Sequence, residues 1–125
     1  IYTKEEYNIR REIMTFLAID AQKNLFTLQK NQLQFEQMLI LNQVNWCQKQ
    51  QTQLQRAYNA GEYGEDADIE KDTYYMQLQD MDEQLATRKS AIDDQITALT
   101  EEITSCSTLV KNNVKQSCGL NLIGG

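Results

Sequence analysis

The chain has 125 residues, no histidine and no proline, and its 12 Lys and Arg against 18 Asp and Glu leave a net charge of −6. That length suits one domain. The missing histidine excludes histidine-ligated zinc sites and histidine-based catalytic triads. A β-sandwich or barrel, which needs Gly/Pro-rich turns and short β-branched strands, does not fit either.

Average usage would place roughly six prolines in a chain of this size. Proline costs about 3 kcal/mol inside a helix and is tolerated mainly at first turns and in loops. Its absence therefore predicts long helices and few loops. The longest apolar run, Met38-Leu39-Ile40-Leu41, falls far below the ~18 residues of a membrane span, and no segment reads as a signal peptide.

The first helix is predicted over about 4–60. Thr3-Lys4-Glu5-Glu6 fits a capping box, in which Thr3 accepts from the Glu6 N–H and Glu6 reaches back to Thr3. Tyr2 and Tyr7 stand at the staple positions, and Glu5 and Glu6 suit the positive end of the helix dipole. The chain opens on Ile1 without Met, and the box reads as a native helix start. Glycine is then absent until Gly61. Apolar residues recur every seven in three columns: Ile19, Phe26, Leu33, Ile40, Cys47 and Leu54; Ala18, Leu25, Leu39 and Trp46, interrupted by Gln32 and Gln53; and Ala21, Leu28 and Phe35, followed by Asn42. Read together, they predict one broad apolar stripe. A continuous helix over this stretch is about 85 Å long at 1.5 Å per residue.

A turn is predicted at 61–66. Gly61 and Gly64, set among Asn59, Glu62, Glu65 and Asp66, are the strongest turn signal in the chain. Gly61 is expected as a left-handed C-cap, with Asp66 or Glu65 capping the next helix. Asp66, Asp68 and Glu70 resemble the start of a calcium loop, but the sixth and twelfth positions counted from Asp66 are Lys71 and Gln77, where an EF-hand needs Gly and Glu. An acidic helix start is the expectation, with no metal and no cofactor.

The second helix is predicted over about 67–118. Its columns are Leu78, Leu85, Ile92, Leu99 and Cys106, and, offset by four, Ile96, Ile103 and Val110. This is an a/d heptad from Ile92 onward. Ahead of it Tyr74, Met81 and Arg88 are expected to carry the seam through a stutter. Gly119 is expected to end the helix, leaving an apolar tail over 119–125 with Leu120, Leu122 and Ile123. An alternative breaks this helix near Ser90, where Ser90 and Asp93 mimic a capping box, and gives a three-helix bundle.

The fold expected is all-α: a long antiparallel two-helix hairpin whose core is completed by oligomerisation or by a partner. Cys47 and Cys106 then lie roughly 39 Å apart along the axis, too far for a disulfide, and are expected as buried free thiols. Cys118, near the predicted helix end, is the candidate for a bond between molecules. Residues 1–60 carry seven basic and five acidic side chains and residues 61–125 five and thirteen, so a basic helix faces an acidic one. An acidic chain disfavours nucleic acid.

Trp46, Leu39, Phe35, Leu41, Tyr74, Tyr75, Leu120, Leu122 and Ile123 exceed what a single two-helix seam covers. They are the expected interface residues, with Trp46 as the hot spot. No constellation of acid, base and nucleophile and no Gly-rich phosphate loop is legible, so an enzyme is not expected. The sequence points instead to a structural protomer that self-associates, as in a filament, secreted appendage or virion component. The alternative is a coiled-coil adaptor or chaperone that binds a protein partner through its helical face. No family motif is legible.

Overall fold

The computed structural model describes the backbone of residues 3–124 and the side chains of residues 3–113. It is a helical hairpin. Helix α1 spans Lys4–Asn59, a one-turn 3-10 helix α2 spans Ile69–Lys71, and helix α3 spans Thr73–Gly124. Among the described residues there is no strand.

The start of α1 forms as its sequence dictates. The Glu6 N–H donates to Thr3 Oγ1 and the Thr3 N–H donates to Glu6 Oε2, both at 3.2 Å. Its end is a Schellman motif. Gly61 takes φ +77°, its N–H donates to the Tyr58 carbonyl, and the Glu62 N–H donates to the Ala57 carbonyl, both at 3.1 Å. These two bonds satisfy carbonyls that a bare helix end leaves open. The ring of Tyr63 stacks on Tyr58 with centroids 4.5 Å apart.

The second long helix begins later than expected. Asp66 and Glu65 do not cap it; the chain first makes the short α2, capped by Asp68, whose carboxylate accepts from the Glu70 N–H. Asp72 then caps α3, accepting from the N–H groups of Tyr74 at 2.8 Å and Tyr75 at 3.2 Å. The linker is thus residues 60–72 rather than 61–66. An Asx side chain can cap only from a residue of extended backbone, and Asp72 has it, with ψ 121°. Helix α3 is unbroken at Ser90 and continues through Gly119 to Gly124, so neither the three-helix alternative nor the C-cap at Gly119 is formed.

The chain forms two compact units: Leu33–Gln95, here the turn unit, and Ile1–Gln32 with Ile96–Gly125, here the terminal unit. Each contains a segment of both long helices. In the turn unit the seam positions of α1 are Leu33, Gln37, Ile40, Val44, Cys47, Gln51, Leu54 and Tyr58, spaced by four and three in turn, with Gln50 and Ala57 half-buried beside them. They face Tyr75, Leu78, Asp82, Leu85, Lys89 and Ile92 of α3, spaced the same way. Ile40, Cys47, Tyr75, Leu78, Leu85 and Ile92 are buried, with Cys47 fully so. In the terminal unit the seam uses Phe16, Ile19, Lys23, Phe26 and Lys30 with Ile96, Leu99, Ile103, Cys106 and Val110, of which Cys106 is buried.

This seam corrects the expected stutter. Tyr74 and Met81 are each 43% exposed, and Arg88 is exposed too. The heptad runs through Tyr75, Asp82 and Lys89 without a phase shift. Two of those three residues are charged, and a search for apolar residues slides off them onto Tyr74 and Met81. At Lys89 the long stem explains the tolerance: a lysine can lay its methylenes on the seam and keep its ammonium in water.

Candidate association face

Helix α1 carries a second heptad. The expected single broad stripe divides into two, because positions two residues apart on a helix point about 200° away from each other. Ile19, Phe26, Leu33, Ile40, Cys47 and Leu54 belong to the internal seam, whereas the other two columns lie on the opposite side of α1. In the turn unit that outer face presents Phe35, Leu39, Asn42 and Trp46; Phe35 is 61% exposed and Trp46 49%. In the terminal unit it presents Met14, Ala18, Ala21, Leu25, Leu28 and Gln32, all exposed, with Met14 at 71%. Further toward the N-terminus Tyr7, Arg10, Arg11, Met14, Thr15 and Ala18 line an open groove.

The equivalent outer positions of α3 are Gln77, Asp80, Gln84, Thr87, Ala91, Asp94, Ala98, Glu101, Ser105 and Thr108. None is a large apolar residue. The asymmetry is therefore between the helices: α3 presents one apolar side and α1 presents two. Solvation accounts for the outer face of α3, whereas the outer face of α1 keeps large apolar side chains in water, the usual mark of an interaction surface.

The expected interface residues divide accordingly. Phe35, Leu39 and Trp46 share the outer face of α1. Leu41, 45% exposed, lies beside Ile40 and off that face. Tyr74 is exposed at the start of α3. Tyr75 is only 6% exposed: it sits in the internal seam, where its hydroxyl accepts from Gln55 Nε2 at 3.1 Å. The side chains of Leu120, Leu122, Ile123 and Cys118 lie outside the described ones. Met14 belongs to the face and escaped the sequence reading, and Leu25 and Leu28, read there only as part of the apolar stripe, join it; their signal is the four-three spacing that links them to Phe35.

A second cluster, at the turn, was also missed. The Tyr58 hydroxyl donates to Asp72 Oδ2 at 2.5 Å. That bond, with burial and the negative charge of Asp72, raises the Tyr58 hydroxyl from its usual pKa to about 12. The same bond, and the N–H groups of Tyr75 and Tyr74, hold Asp72 below the usual carboxylate range. At neutral pH the pair is a protonated phenol on a carboxylate, a latch between the end of α1 and the start of α3.

The thiols of Cys47 and Cys106 are free. Cys47 donates to the Leu78 carbonyl at 3.0 Å, and Gln51 Nε2 donates to the same carbonyl at 3.3 Å. Among the described residues no group of three or more His, Cys, Asp or Glu is placed to hold a metal ion, and no helix is long and apolar enough to cross a membrane. No protein-family model matches the chain, and comparison with curated proteins and with solved structures finds no match.

Proposed function

We propose that this protein is a non-enzymatic assembly protomer that self-associates through the outer face of α1. The observation that carries the reading is the second heptad of α1, apolar and exposed, beside an α3 whose outer face is polar. A hairpin that served only as a spacer would be satisfied by one seam. Here the side chains that complete a larger core are already in coiled-coil register, which suits a component of a filament, a secreted appendage or a virion.

The runner-up is an adaptor or chaperone that lays the same face against a helix of another protein. The two readings separate in one experiment: light scattering after size exclusion, over a concentration series with reductant present. Self-association gives a mass above that of one chain which grows with concentration. A monomer that persists across the series removes the protomer reading and leaves the adaptor. Trp46→Ala and Leu39→Asp test the face itself. Both residues point away from the internal seam, so each variant is expected to keep its helical circular dichroism and to weaken assembly at least tenfold, as loss of an anchor of about 2 kcal/mol does. A variant that unfolds yet keeps its mass contradicts the assignment.

A further inference from the structure

Resting on the self-association read above, we infer that the groove at the start of α1 takes the acidic linker of a second copy, so that copies join through two unlike surfaces. Each surface lies wholly within one compact unit, the groove in the terminal unit and the linker in the turn unit. Three observations support the pairing.

The sorting of charge on α1 is the first. Arg10 and Arg11 line the groove, and Lys4, two turns before Arg11, shares its face. The acids of the same stretch do not. Glu5 and Glu12 stand two turns apart on the seam side of the helix, and Glu12 is half-buried there one turn before Phe16. Glu6 accepts from the Thr3 N–H and closes the capping box. A stretch with as many acids as bases therefore turns its bases to one side.

The sign of the linker is the second. From Glu62 to Asp72 the chain carries six acids against Lys71 alone, and Glu62, Glu65, Asp66, Asp68 and Glu70 are all exposed. A two-fold contact presents the same patch twice, so linker would repel linker and groove would repel groove. Each surface is instead the complement of the other, and opposite patches steer the encounter as well as holding it.

The aromatic content is the third. Between its arginines the groove, about 630 Å³ in volume, offers Tyr7 and Met14, both exposed. In the linker Tyr63 stacks on Tyr58 yet is 55% exposed. Arginine and the methionine thioether both bind aromatic rings, so the linker brings an apolar anchor together with its carboxylates. Because the two surfaces differ, a copy whose groove is filled still presents its linker. Growth then continues into a ring or an open filament.

Two variants of the full chain test the pairing by light scattering at low salt. One carries Arg10→Glu with Arg11→Glu and loses the groove; the other carries Glu65→Lys with Asp66→Lys and loses the linker, while the caps Asp68 and Asp72 stay. Each alone is expected to keep its helical circular dichroism and to associate at least about fivefold more weakly than the parent. Their equimolar mixture is expected to reach a higher mass than either alone, since the first still has a linker and the second a groove. Both variants remain net negative, so a gain on mixing is not a general attraction between unlike charges. If either variant loses its helicity, the parent decides: association is expected to weaken at least about fivefold as salt rises from about 0.01 to 1 M, where the Debye length shortens from roughly 30 to 3 Å, and association that does not weaken overturns the pairing. Variants that associate as the parent does also overturn it, leaving self-association through another face and the groove to an acidic segment of another protein. Weakened variants whose mixture is no heavier overturn it as well. A parent that is monomeric at every concentration removes both the pairing and the protomer reading beneath it.

Discussion

At the scale of single residues, the turn is held by hydrogen bonds that involve ionisable groups, and pH reports on them. Tyr58 has a hydroxyl raised to about 12, so it stabilises the fold fully below the pKa of an unfolded tyrosine. That contribution is lost as pH rises from about 10 through 12. Asp72 is shifted the other way. Its contribution is present above the unfolded carboxylate pKa and is lost as pH falls through the lower folded value. The melting temperature of the native chain is therefore expected to fall at both extremes. Tyr58→Phe removes the alkaline fall and lowers the melting temperature at neutral pH by a few degrees. Thermal melts from pH 3 to 12 check this; an alkaline limb in Tyr58→Phe as steep as in the parent disproves the latch.

At the scale of elements, the two long helices are stabilised by a narrow seam with polar gaps. Leu78 is 2% exposed and packs where Cys47 and Gln51 reach its own carbonyl. Leu78→Ala is expected to cost about 2–5 kcal/mol, read as a shift of the urea midpoint. Lys89, half-buried at a seam position of the same unit, is the converse case. Lys89→Leu is expected to raise the midpoint, because the seam gains an apolar layer without losing a described hydrogen bond. The fold class, the capping box and the Gly61 stop were legible because each is encoded locally, by period, by a four-residue motif or by one glycine. The start of α3 was not. Several acids compete as caps between Glu62 and Asp72, and the choice falls on Asp72 because Tyr58 reaches it across the turn, a contact distant in sequence. The two faces of α1 were legible as spacing yet merged, since spacing alone does not say which column meets α3.

At the scale of the whole molecule, burial is uneven. Six of the seven buried hydrophobic residues among those described, Ile40, Cys47, Tyr75, Leu78, Leu85 and Ile92, belong to the turn unit, and Cys106 belongs to the terminal unit. Local opening is easiest where few side chains are buried. Amide hydrogen exchange is therefore expected to be slower for the interior of residues 33–95 than for residues 4–32, and association through α1 is expected to slow the latter. Uniform protection along α1 at concentrations where the chain is monomeric would contradict this.

The stop between the long helices has one more consequence. A Cβ added at Gly61 or at Gly64 meets nothing within 4 Å, so only their backbone angles, φ +77° and +103°, oppose a side chain there. The chain has no proline to enforce the turn. Reversal of direction is thus a local conformational choice rather than a steric necessity. If alanine replaces both glycines, the choice tilts toward one uninterrupted rod. Each arm then finds its complement on a neighbouring molecule, and the hairpin becomes a swapped dimer made of the same contacts.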